Sequence, residues 1–95
     1  MKFEWDGNKN DINIHKHGFD FSDAVEIFDS PMVTCQDRRF EYGEDRYIGI
    51  DLTKNRVAIV VFTEINDDVI RIISLRKAKK HERKIFEKQI KNRLG

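Results

Sequence analysis

The chain has 95 residues and a mass of 11.3 kDa, room for one compact domain and too little for a large enzyme with a deep cofactor cleft. Charged residues make up 37% of it and hydrophobic residues 39%, enough for one small core. The net charge of +1 hides a split: residues 1–70 carry 8 Lys/Arg against 15 Asp/Glu, and residues 71–95 carry 10 against 2. The first part is therefore net −7 and the second net +8, which points to an anionic partner for the basic end and a basic partner for the rest. A surface helix solvated by its own lysines accounts for the same asymmetry.

The longest apolar run, Val57 to Phe62, is far short of the ~20 residues of a membrane-spanning helix. The opening Met1–Asp6 has no apolar stretch of the secretory kind. Cys35 is the only cysteine, which leaves no intramolecular disulfide or multi-cysteine zinc site and fits a reducing cytoplasm.

In chain order, Met1–Trp5 alternates as a short strand does. Asp6 is placed to cap a helix over about Asn8–Lys16, and Gly18 suits the left-handed position after it. A second helix is expected from Phe21 or Ser22 to Phe28, with Phe21, Ala24, Val25 and Phe28 on one face and Asp20/Asp23 in capping-box spacing. Pro31 closes the helical part. The middle reads as sheet: Met32–Gln36 weakly, then Tyr47–Leu52, with Gly49 at a bulge or a close approach. Thr53-Lys54-Asn55 is a hairpin-length connection. Arg56–Thr63 reads as buried on both faces, Asn66-Asp67-Asp68 as a turn, and Val69–Leu75 as the next strand. Short connections imply antiparallel pairing. A basic helix from about Lys77 to Asn92 ends the chain, with Ala78, Ile85, Phe86 and Ile90 on its apolar side. The fold class is α+β: N-terminal helices, an antiparallel sheet of about four strands and a C-terminal basic helix.

Metal and phosphate-loop chemistry find little support. His15 and His17, two apart on a helix, do not converge. His81-Glu82 is followed at the zincin position by Ile85 rather than a second histidine. The arginines carry more. Arg71 and Arg76 bracket the last strand and fall on opposite faces if that strand is regular. At the strand exit Arg76 can turn towards Lys79, Lys80 and Arg83, a cationic patch suited to phosphate. The competing reading pairs Arg76 or Arg83 with acids of the −7 part such as Glu44 or Glu64. His17, at a helix end, would favour the dipole when protonated.

Several fragments together resemble the BrnT family. Trp5-Asp6, Lys9, Asn13, Lys16-His17-Gly18, Phe21 and Ala24 match its opening. Arg38 or Arg39 before Gly43, Glu44 and Arg46, then Val60–Thr63 before Glu64, continue it. Arg71-Ile72-Ile73-Ser74-Leu75-Arg76-Lys77-Ala78 and Glu82-Arg83 complete it. The chain departs from the family pattern at Ile65, where an arginine is usual, at Leu75, where a small residue is usual, and at Phe86, where a tyrosine is usual.

The resemblance implies a RelE-like fold and a ribonuclease toxin of a type II toxin–antitoxin pair, neutralised by a BrnA-like DNA-binding antitoxin in a 2:2 heterotetramer. RNA, in particular mRNA, is the implied substrate, with no metal, cofactor or membrane. Because RNA carries its own nucleophile, the 2′-hydroxyl, the expected catalytic residues are Arg76, Arg83 and Arg71 as charge stabilisers. Glu64, His17, His81 or a desolvated lysine would be the base, and Lys16, Arg46, Lys79 and Lys80 would hold the RNA backbone. The antitoxin surface is expected among the acidic residues and among Phe40, Tyr42 and Tyr47. The alternatives are an inactive RNA- or antitoxin-binding module, favoured by Phe86 and Ile65, and a DNA-binding scaffold.

Overall fold

The computed structural model describes residues 1–94 apart from Pro31 and Phe40, so the expectations for those two residues lie outside it. In chain order the elements are β1 (Lys2–Glu4), α1 (Gly7–His17), a 3₁₀ helix (Phe21–Asp29), β2 (Val33–Asp37), β3 (Arg46–Thr53), β4 (Arg56–Asn66), β5 (Val69–Lys77) and α2 (Lys80–Leu94). The strands form one sheet in the order β1-β5-β4-β3-β2. The pairs β2/β3, β3/β4 and β4/β5 are antiparallel, as the short connections imply. The fifth strand, β1, joins β5 in parallel because the helical segments carry the chain away before it returns to the sheet. No helix among the described residues is long and apolar enough to cross a membrane.

The caps behave as their chemistry dictates. The Asp6 carboxylate accepts from the amides of Asn8 (2.8 Å) and Lys9 (3.2 Å), and Gly18 ends α1 at φ 75°, a value only glycine adopts without strain. Asp20 and Asp23 form the expected capping box. The helix they start is a 3₁₀ helix rather than an α-helix. Its fully buried residues are Phe21, Ala24 and Ile27, a three-residue repeat in place of the Phe21/Ala24/Val25/Phe28 face. Side chains three apart eclipse in a 3₁₀ helix, so one narrow stripe enters the core.

That stripe packs on one face of the sheet, against Ala58, Val60 and Phe62 of β4 and Ile70, Ile72 and Leu75 of β5. Phe28 links Phe3 (ring centroids 5.2 Å apart) to Phe62 (4.9 Å), and Tyr47 stacks on Phe62 at 5.6 Å. Tyr47 is thus committed to the core rather than exposed for a partner. Every residue from Ala58 to Thr63 is buried, matching the two-faced burial expected of this strand. Gly49 marks a close approach: a Cβ there would meet Met32 Sδ at 2.5 Å and Val60 Cγ1 at 3.1 Å. The β3–β4 hairpin turns on Lys54 and Asn55 at φ 50° and 62°, the left-handed pair of a tight two-residue turn.

Asn13 ties α1 to the sheet. Beyond Arg71, β5 has outgrown its three-residue neighbour β1, so the outer edge of β5 needs other hydrogen-bond partners. The buried Asn13 amide supplies them. Its Nδ2 donates to the Leu75 carbonyl (2.8 Å) and to the Phe19 carbonyl (3.0 Å), and its Oδ1 accepts from Leu75 N–H (3.2 Å). A primary amide is both donor and acceptor, so this side chain stands in for a strand peptide.

At the other end of β5 the basic helix begins three residues later than its charge pattern suggests. Lys77 is still paired with Ala58, and Ala78 N–H donates to Val57 O at 2.9 Å. Ala78 is buried, but as part of the strand exit and not of the helix face. Phe86 is buried on α2, while Ile85 is exposed.

Candidate ribonuclease site

The sheet face opposite the main core carries charged residues beside the buried Ile59 and Val61, and a β-bulge decides which ones. Val61 pairs with Ser74, and Phe62 with Ile72. Ile73 is therefore an extra residue on β5, and the side-chain alternation shifts by one at that point. Ile70, Ile72 and Leu75 all enter the core in consequence, whereas a regular strand would have turned Leu75 outward. The same shift places Arg71 (opposite Thr63), Ser74 (opposite Val61) and Arg76 (opposite Ile59) together on the other face. The expectation that the two arginines point to opposite faces fails because it assumed a regular strand. Register carries the face onward to Arg46 on β3 and Asp37 on β2, which pair with each other.

Each arginine of this face has a carboxylate beside it. Arg71 donates to Glu4 Oε2 from Nε (3.2 Å) and Nη2 (2.8 Å). Arg46 donates to Glu44 Oε1 at a long 3.4 Å and lies 4.1 Å over the Tyr42 ring. Arg76 forms a two-pronged pair with Glu82, Nη1 to Oε1 and Nη2 to Oε2, both 2.8 Å. Glu82 Oε1 also accepts from Lys79 N–H at 2.7 Å, the backward half of a capping box at the start of α2. The hydrogen bond from Arg76 is the main reason the Glu82 carboxyl is pulled down to about 2. The acid that pairs with Arg76 thus comes from the basic segment itself, not from Glu44 or Glu64. Spacing held the signal that sequence reasoning missed: Glu82 is the acid in the first turn of α2, three residues after Lys79.

Arg83 follows Glu82 and is half-buried; among the described residues its guanidinium has no carboxylate and no hydrogen-bond partner. Lys79 and Lys80 flank it, exposed. Of the expected patch, Arg76 and Lys79 are joined through Glu82, Arg76 by its side chain and Lys79 by its backbone N–H. The end of α1 adds to it. His17 is held below its ordinary value by burial, then by the cations Lys16 and Arg76. This is the reverse of a histidine held protonated by a helix dipole, and it brings Lys16, His17 and Arg76 into one electrostatic neighbourhood.

Glu64 is not part of this arrangement. It pairs with Ile70, a core-face residue, so it points to the side away from Arg71 and Arg76. It lines a cleft of about 440 Å³ with Glu44, Asp45, Tyr47, Thr63 and Ile65. Three carboxylates there make poor company for a polyanion. A smaller cleft of about 290 Å³, lined by Glu4, Trp5, Asp6, Lys9, Arg71, Ile72 and Ile73, sits beside Arg71. Among the described residues no group of three or more His, Cys, Asp or Glu is placed to hold a metal ion. Tyr42 is half-buried under Arg46 and bonded to Asp37, so it too is unlike the exposed aromatic expected of a partner surface.

Comparison with known proteins places this architecture. Residues 5–82 match the model of the ribonuclease toxin BrnT of type II toxin–antitoxin systems. No protein with a curated description matches the chain. Among solved structures, the crystal structure of the Brucella abortus ribonuclease toxin BrnT superposes with a TM-score of 0.70 at 30% identity, covering 84% of this chain and 99% of that one. The arginine-bearing strand, its bulge and the Glu82 helix start lie within the matched residues, and the chain belongs to the BrnT family of ribonuclease toxins of type II toxin–antitoxin systems.

Proposed function

We propose that the protein, with residues 1–95 as one toxin domain, cleaves single-stranded RNA in the cytoplasm without a metal, on the sheet face shared by Arg71 and Arg76 and at Arg83 of α2. The observation that carries this reading is the bulge at Ile73, which brings Arg71 and Arg76 to one face, with Arg76 bound to Glu82, the chain neighbour of the unpartnered Arg83. The 2′-hydroxyl of the substrate loses its proton to a base, its oxygen bonds to the adjacent phosphorus, and the bond from phosphorus to the 5′-oxygen breaks as that oxygen takes up a proton. The products are a 2′,3′-cyclic phosphate and a 5′-hydroxyl. Negative charge gathers on the phosphate oxygens in the transition state, and Arg83 and Arg76 are the donors aimed at it. Arg71 and Arg46 bind the flanking phosphates, and Lys16, Lys79 and Lys80 follow the backbone.

The base is His17 rather than Glu64. His17 is held below its ordinary value by burial, then by Lys16 and Arg76, which favours the neutral form that can accept a proton. Glu64 faces the other side of the sheet. Cleavage of mRNA would halt translation, and a small BrnA-like antitoxin, bound as two toxins with two antitoxins, would neutralise it.

The test uses purified protein and a labelled single-stranded RNA in excess EDTA, beside Arg83→Ala. Cleavage to cyclic-phosphate ends is expected, with kcat reduced about 10²–10³-fold in the variant, the usual effect of removing one such donor. Wild-type binding without cleavage, also in the presence of translating ribosomes, would replace the enzyme with a binding module. Undiminished cleavage by the variant would move the site off this face.

A further inference from the structure

Asp37 is the most deeply buried carboxylate of the arginine face, and none of the roles above uses it. It ends β2 opposite Arg46, and its side chain is 1% exposed. A charge this buried persists only where it is fully bonded. Asp37 Oδ1 accepts from the Arg39 backbone N–H (3.2 Å) and from Arg39 Nε (2.9 Å). Oδ2 accepts from Arg39 Nη2 (2.9 Å) and from the Tyr42 hydroxyl (3.1 Å). The other ion pairs of this face use carboxylates that water reaches more easily: Glu4, Glu44 and Glu82 are 42%, 39% and 16% exposed. Asp37 is buried with both oxygens bonded.

What Asp37 holds is a guanidinium used on one edge only. Arg39 gives Nε and Nη2 to the carboxylate, its side chain is 61% exposed, and among the described residues Nη1 has no hydrogen-bond partner. The planar fork lets one edge be anchored while the other meets a second anion. Arg39 and Arg46 are brought together at Asp37, which binds the first and is paired in register with the second, so both bear on the same stretch of bound backbone. Through Tyr42 the same carboxylate steadies Arg46, whose guanidinium rests on that ring. One buried acid thus sets the positions of two arginines on the rim of the site.

We propose that Arg39 is a further phosphate contact for the RNA strand passing Arg46, and that Asp37 is the positioning residue that holds its guanidinium there. The proposal rests on the RNA reading above. A purely structural Asp37 would close the β2–β3 connection and nothing more, so the test must read RNA contact separately from folding. Binding of a 2′-O-methyl oligonucleotide, which cannot be cleaved, is measured against salt concentration for wild type, Arg39→Ala, Arg39→Lys and Asp37→Asn, with thermal unfolding of each.

Removing one phosphate contact on a single strand should lower the slope of log K against log salt by about 0.7. Arg39→Ala should show that loss with an unchanged Tm, and Arg39→Lys should keep most of the slope. Asp37→Asn, although it retains the Arg39 charge, should lose binding as Arg39→Ala does, and the double variant should lose no more. A wild-type slope in Arg39→Ala overturns the contact. A wild-type slope in Asp37→Asn, with only its Tm lowered, overturns the positioning role. If the wild type itself shows no salt-dependent binding, the RNA reading fails instead, and the two failures are distinguishable.

Discussion

The two faces of β5 are built by opposite means from the same nine residues. On one face Ile70, Ile72 and Leu75 disappear under the 3₁₀ helix, held by apolar packing that depends on area and not on direction. On the other, Arg71 and Arg76 stand in ion pairs whose strength depends on geometry to a few tenths of an ångström. The difference shows what the bulge is for. A regular strand could serve either face through its full length, but not both with these residues. The extra Ile73 resets the alternation between Ile72 and Leu75, so the core stays continuous while the arginines converge.

Deleting Ile73 together with Ser74 attacks that arrangement directly and should have the largest effect. It leaves a regular strand in which Leu75 falls opposite Val61 and Arg76 opposite Val60 of the core, and a buried unpaired guanidinium is not tolerated. Loss of cooperative unfolding in a urea titration is the expected result. Deleting Ile73 alone removes only the extra residue, keeps Ser74 opposite Val61 and Leu75 opposite Val60, and should leave the transition cooperative. A double deletion that unfolds as the wild type does would show that the alternation does not hold the two faces apart.

Asn13 sharpens the comparison from the core side. Asn13→Ala leaves the Leu75 N–H and carbonyl without their partners at a buried strand edge. The cost should be about 2–6 kcal/mol, since each of these two unsatisfied buried groups typically costs about 1–3 kcal/mol. Chemical unfolding at pH 7 reads it. Cleavage by the fraction that stays folded should be close to wild type, because Asn13 bonds the backbone at the outer edge of β5 and touches none of the arginines.

Most of the fold was legible because it follows from local rules. Alternation, caps and turn residues gave the strands, the limits of α1 and the hairpin at Lys54-Asn55. The parallel β1 was not legible: a three-residue strand has no way to state its partner in sequence. The 3₁₀ geometry was missed because Phe21, Ala24, Val25, Ile27 and Phe28 satisfy a repeat of 3.6 residues nearly as well as one of 3. In the site, the cationic residues were visible as composition, but their faces were not. The bulge that unites Arg71 and Arg76 is a long-range pairing event between β4 and β5. The carboxylates that organise the arginines were hidden for a related reason. Asp37 looks like any turn aspartate until Arg39 and Tyr42 fold back on it, and Glu82 looks like a minor charge on a basic helix until Arg76 reaches it.

Glu82→Gln tests the polar face where it meets α2, and it should have a smaller effect than Asn13→Ala. A glutamine can still accept from Lys79 N–H, but it loses the charge that faces Arg76. The expected cost at pH 7 is about 1–2 kcal/mol, the ordinary worth of a partly buried, charge-assisted pair. The pH dependence identifies its origin. The Glu82 carboxyl is held at about 2 in the folded chain, against an ordinary 4.5. Its contribution is therefore complete above pH 4.5 and drains away as pH falls from there towards 2. Asp37, also held below its ordinary value by the hydrogen bond from Arg39, weakens over an overlapping acidic range in both proteins. Comparing the two proteins cancels that shared loss. The gap in unfolding free energy between wild type and Glu82→Gln should be widest at neutral pH and close on acidification, and a gap that stays constant down to pH 2 would mean that the charge of Glu82 does nothing for the junction of β5 with α2.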